Sequence, residues 1–78
     1  MKTYLIANDF NWIENLAEDE VAKARIRYHQ TEKEATARKN SDGTVDIHFL
    51  EPQRAITKGQ AVVLYRDNHV VGGGTIIK

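Results

Sequence analysis

From Ala22 to His29 the chain alternates without a break, Ala22, Ala24, Ile26 and Tyr28 against Lys23, Arg25, Arg27 and His29. Successive side chains on a strand point to opposite faces, so this pattern builds a strand with one core face and one cationic stripe; a helix has no need of it. Thr44 to Leu50 repeats the pattern, with Val45, Ile47 and Phe49 one way and Asp46, His48 and Leu50 the other. Two such segments commit the chain to a sheet with one face against a core. Stripe residues two apart lie about 6.6 Å from each other, on the scale of successive phosphates in an extended nucleic-acid strand. Exposed lysines and arginines are also the norm on any solvated strand, and Glu14, Glu18, Asp19 and Glu20 are at hand to pair with them.

The remaining segments are short and separated by turn chemistry. Thr3 to Ala7 is β-branched and aromatic, and Asn8, Asp9 and Asn11 signal a turn beside the packing anchors Phe10 and Trp12. Glu14 and Leu16 to Glu20 are good helix formers that Asn11 can cap, which leaves room for one short helical turn near residues 13–20. Glu34 to Lys39 reads as a strand, and Asn40-Ser41-Asp42-Gly43 as a hairpin connection. In EPQRAITKGQ, Glu51 to Gln60, Pro52 fixes its own φ and Gly59 permits backbone geometry closed to other residues, so this is an ordered crossing between strands. Its long polar side chains, Gln53, Arg54, Thr57, Lys58 and Gln60, make it the first place to look for binding. Ala61 to Tyr65 is apolar on both faces, as in a strand covered on both sides. Asp67-Asn68 gives a tight turn, and Gly72-Gly73-Gly74 in the last strand marks a place where the backbone bends or is closely approached.

Short strands and frequent turns predict an all-β fold, a small closed antiparallel β-barrel of about six strands, closure protecting the edges of so short a sheet. The 78 residues make one domain spanning 1–78. There is no cysteine, hence no disulfide, thiolate metal site or sulfur carrier. The longest apolar run, Ala61 to Tyr65, is far short of the ~20 residues of a membrane helix, and the start lacks a secretory signal; the reading is no membrane and a cytoplasmic location. Lys plus Arg equals Asp plus Glu at eleven each, so any contact with a polyanion has to be local.

No constellation for catalysis stands out. The histidines, His29, His48 and His69, fall on separate strands without ligand spacing, so no metal is expected. Ser41 serves its turn, and Gly72 to Gly74 lacks the following helix that a phosphate-cradling loop requires. A freestanding enzyme is not expected.

LIANDFNWI at Leu5 to Ile13, RIRYHQ at Arg25 to Gln30, EPQRAITKGQAVVLY at Glu51 to Tyr65 and VVGGGTII at Val70 to Ile77 carry a resemblance across nearly the whole chain. In that order they resemble the C-terminal domain of bacterial tRNA-specific 2-thiouridylases, also labelled tRNA (5-methylaminomethyl-2-thiouridylate)-methyltransferases. The resemblance implies the terminal barrel of a longer multidomain enzyme. There an N-terminal domain uses ATP to adenylate uridine 34 of the anticodon, two cysteines deliver sulfur, and a central domain precedes the barrel. This chain has neither the nucleotide loop nor the cysteines, so it would be non-catalytic alone, with no cofactor of its own. Implied partners are the tRNA anticodon region and the catalytic and central domains of the parent. The RNA-contacting positions carried over are Arg27, Tyr28 and Gln60, with Arg25 and Lys58 as additional candidates. His29 departs from the arginine more usual there, which makes the position less cationic at neutral pH. The alternative role is structural: a barrel that caps or orients the catalytic domain through a patch of Phe10, Trp12 or Leu50. Nothing in the motifs favours a third reading, a translation-factor-like barrel.

Overall fold

The structure, a computed structural model, describes residues 2–26, 31–54 and 56–78. Six strands follow in order: β1 (Lys2–Trp12), β2 (Ala22–Arg25), β3 (Lys33–Lys39), β4 (Val45–Gln53), β5 (Ala61–Arg66) and β6 (His69–Ile76). They close into a barrel in the order β1-β4-β3-β2-β5-β6, each neighbouring pair antiparallel. The all-β closed barrel is the architecture expected from the alternation, and no helix long and apolar enough to cross a membrane occurs among the described residues.

Cross-strand partners share a face. The pairs Leu5–Ile47, Ala37–Ile47, Ala35–Phe49, Ala22–Ala35, Ala24–Leu64 and Ala7–Ile76 therefore trace the interior around the barrel. Leu5, Ile47, Leu64, Ile76, Val45, Val62 and Val71 are its largest wholly buried side chains. The alanines of β2 and β3 leave room for them in a narrow interior.

Four local expectations change. The Asn8-Asp9-Asn11 turn is instead a bulge inside an eleven-residue β1: the β6 register shifts between Asn8 and Asn11, and Asp9 takes φ 50°. The bulge tips Phe10 over β6, where a Cβ on Gly72 or Gly74 would come within 2.9 or 2.7 Å of its ring. The glycine triplet is thus a floor for Phe10.

Residues 13–21 form no helix. The N–H groups of Ile13 and Glu14 both donate to the Val71 carbonyl, at 2.7 and 3.0 Å, and the Glu20 N–H reaches the Ala17 carbonyl at 3.1 Å. This path drops Leu16, 6% exposed, into the end of the barrel. Tertiary burial outweighs a helix preference worth a few tenths of a kcal/mol per residue.

β4 runs on through Pro52. The step from His48 to Gln53 faces only that from Tyr4 to Lys2, so Pro52 sits in a bulge where its missing N–H breaks no ladder bond. The Gln53 side-chain amide donates to the Glu51 carbonyl at 2.9 Å and closes it. Finally, β5 is not covered on both faces: Val62 and Leu64 point inward, while Ala61 is exposed and Val63 and Tyr65 are half-buried.

Candidate nucleic-acid interface

Antiparallel pairing gathers the starts of β1, β3 and β5 and the finishes of β2, β4 and β6 at one end of the barrel. The crossing from β4 to β5 lies there. Its last turn is closed by the Gln60 N–H on the Thr57 carbonyl at 3.3 Å, with Gly59 at φ 88° in the position where a type II turn needs it. Two further bonds, Gly59 N–H to the Ile76 carbonyl and Ile76 N–H to the Gln60 carbonyl, both 2.8 Å, pin the turn to β6. Lys58 therefore projects from a fixed backbone and is exposed. Gln60 is half-buried, and both it and Thr57 make further contacts within the protein.

Arg25 closes β2 beside the start of β5, where it pairs with Val63. Its guanidinium bonds Glu32 at 2.9 Å and lies 5.2 Å from the Tyr65 ring centroid. Part of its charge is thus already answered within the protein. Arg27 and Tyr28, with His29, lie outside the described residues. Of the expected contacts, Arg25, Lys58 and Gln60 are brought to one end of the barrel.

That end carries more than sequence spacing reveals. Lys2, Arg25, Lys33, Arg54, Lys58 and Lys78 gather there against Glu32, Glu34 and Glu51. The opposite end and its half of the wall hold Asp9, Glu14, Glu18, Asp19, Glu20, Asp42, Asp46 and Asp67 against Arg38, Lys39 and Arg66, while Lys23 faces Glu34 across the β2–β3 pair. A chain of zero net charge is therefore polarised along its barrel, positive at the crossing. Lys2, Lys33 and Lys78 are scattered in sequence, and only closure brings them together.

Glu14 and Glu20 are engaged away from the described part of the β2 stripe, Lys23 and Arg25. These two acids hold Arg66: its Nε and Nη2 reach both oxygens of Glu20 at 2.7 and 3.0 Å, Nη1 reaches Glu14 at 2.9 Å, and Nη2 also bonds the Asn15 carbonyl at 2.7 Å. The fork holds the Glu20 carboxyl below its ordinary value and raises the guanidinium further. This is a staple between residues 14–20 and β5.

Phe10 and Trp12 pack on each other, ring centroids 4.6 Å apart, and are half-buried against the core; Lys39 caps Trp12 at 4.7 Å. Leu50, 56% exposed, stands on the outer face of β4. The three therefore form no common patch. Among the described residues no group of three histidines or carboxylates is placed to hold a metal ion. Gly72 and Gly74, under Phe10, offer no open cradle for a nucleotide phosphate.

Residues 2–76 match the family model described as the aminomethyltransferase beta-barrel domain. The chain is 46% identical over 77 residues to a tRNA-specific 2-thiouridylase MnmA of Marinomonas sp., covering 96% of this chain and 20% of that protein. It is 48% identical over 80 residues to one from Clostridium botulinum, covering 100% and 22%, and 49% identical over 69 residues to one from Thermoanaerobacter pseudethanolicus, covering 88% and 19%. The chain spans about a fifth of the length of these relatives. It belongs to the aminomethyltransferase beta-barrel domain family, as the counterpart of the C-terminal domain of tRNA-specific 2-thiouridylases.

Proposed function

We propose that this barrel is the tRNA-contacting accessory domain of a tRNA 2-thiouridylase and is non-catalytic by itself. The parent would carry out ATP-dependent 2-thiolation of uridine 34 in the cytoplasm, ATP being used by its N-terminal domain. The barrel would hold the anticodon region against the catalytic and central domains. The polarisation of a neutral chain supports this reading: cations gather where the crossing and the end of β2 meet, the two segments that carry the motif positions. Arg27 would meet a phosphate or base edge, Tyr28 would offer a ring, and Gln60 and Lys58 would donate from the pinned turn, with Arg25 contributing beside them.

The second reading, a structural cap, draws on the other end, where Ile13, 62% exposed, and Val70, 40% exposed, meet at the Val71 carbonyl. Titration of the isotopically labelled domain with an anticodon stem-loop at low salt separates the two. RNA contact predicts amide shifts at Lys58 to Gln60 and around Arg25 that fade as salt rises. No shift, or shifts confined to Ile13 and Val70, would leave the cap as the surviving role.

A further inference from the structure

Tyr4 and His48 face each other across β1 and β4 on the outer wall, alternating with the buried Leu5 and Ile47. Their rings are stacked, with centroids 6.0 Å apart and planes inclined by 27°. Tyr4 is 39% exposed and His48 is exposed. The Lys2 ammonium sits 5.8 Å from the Tyr4 ring centroid, towards the crossing end, where β1 meets β4 at Lys2 and Gln53. Leu50 lies two residues beyond His48 on the same strand, also exposed. Away from the cationic rim, Asp46 is already engaged by Arg38 and Asn40, at 3.4 and 2.9 Å.

We infer that Tyr4 and His48 form a stacking platform for an unpaired base of the bound RNA, with Lys2 taking the adjoining phosphate. The inference rests on the RNA-contact reading above and extends its surface from the crossing onto the β1–β4 wall. Stacked rings are extended by a base laid on an outer face of the pair, that of His48 or, once the Lys2 ammonium above it moves to a phosphate, that of Tyr4, and such stacking accepts any base. Continuity with the positive end favours RNA over an apolar protein surface, because the same strand of phosphates can run from Lys58 past Lys2. The platform reads stacking and not sequence, so it takes single-stranded loop nucleotides and excludes paired ones.

The test follows ring signals and affinity together, using the anticodon stem-loop and a blunt RNA duplex as probes. Upfield shifts of the Tyr4 and His48 ring protons are expected with the stem-loop and not with the duplex. Tyr4→Leu, which keeps an apolar side chain on an outward position, is expected to weaken stem-loop binding by about tenfold while leaving its salt slope unchanged, and Tyr4→Phe to bind as the parent does. Shifts at the crossing with silent Tyr4 and His48 rings, or unchanged affinity in Tyr4→Leu, would overturn the platform and leave the RNA-contact reading standing. Absence of binding at both places would overturn both. Equal ring shifts with duplex and stem-loop would overturn the stacking role. So would protection of Tyr4 by the remainder of a full-length 2-thiouridylase without RNA, which would assign this wall to protein docking.

Discussion

The Phe10 ring lies on Gly74: a Cβ built there would come within 2.7 Å of both the ring and the Asn8 carbonyl oxygen. Gly74→Ala is therefore expected to force apart the β1 bulge and its β6 partner, at a cost of about 1–3 kcal/mol in urea unfolding. Gly43→Ala makes the useful contrast. Nothing lies within 4 Å of its Cβ, so its cost comes from φ 90° alone, about 1–2 kcal/mol. Phe10→Ala combined with Gly74→Ala should recover only the ring clash, since the Asn8 oxygen remains.

Leu64 and Ile47 are wholly buried on opposite sides of the barrel. Either one replaced by alanine should lose about 2–5 kcal/mol, a large share of the stability of a domain this small. Val63→Ala, on the outer side of the same strand as Leu64, should change stability by less, a difference readable from denaturation midpoints.

Arg66→Ala removes the bonds to Glu14, Glu20 and the Asn15 carbonyl together. At neutral pH the urea midpoint should fall and amide exchange should quicken across residues 13–21. The carboxyl of Glu20 is held below its ordinary value of 4.5, so its contribution is complete above that pH and is lost as pH falls through the folded value. The gap between parent and variant should close on acidification. A constant gap down to low pH would mean that the staple acts through the Asn15 carbonyl and packing alone.

Lys58→Ala keeps the turn, because the bonds that pin it are all made by backbone atoms of Thr57, Gly59, Gln60 and Ile76. Under the proposed function it should weaken anticodon stem-loop binding and reduce the slope of log affinity against log salt by about 0.7. Glu18→Gln, at the far end, should leave that slope unchanged.

The core face of β4 could be read directly, since Val45, Ile47 and Phe49 alternate cleanly and all three are buried. Ala22 and Ala24 follow the same rule. The bulge at Asp9 could not, because a non-glycine residue at positive φ suits a turn and a bulge equally, and what decides is the Phe10 ring settling on glycines more than 60 positions away. The extended course of residues 13–21 is likewise imposed from afar, by the Val71 carbonyl and by Arg66. At the proposed interface, Lys58 and Gln60 stood out because they border a glycine turn. Lys2, Lys33 and Lys78 did not, since their neighbourhood exists only once the strands have closed.

A molecule whose charges cancel but sit apart behaves in an external field as a needle does near a magnet. It feels little pull and a definite torque. Under the proposed function, such a barrel approaching a polyanion would turn its crossing forward before touching, and would contribute direction to an encounter whose strength came from elsewhere in the parent enzyme.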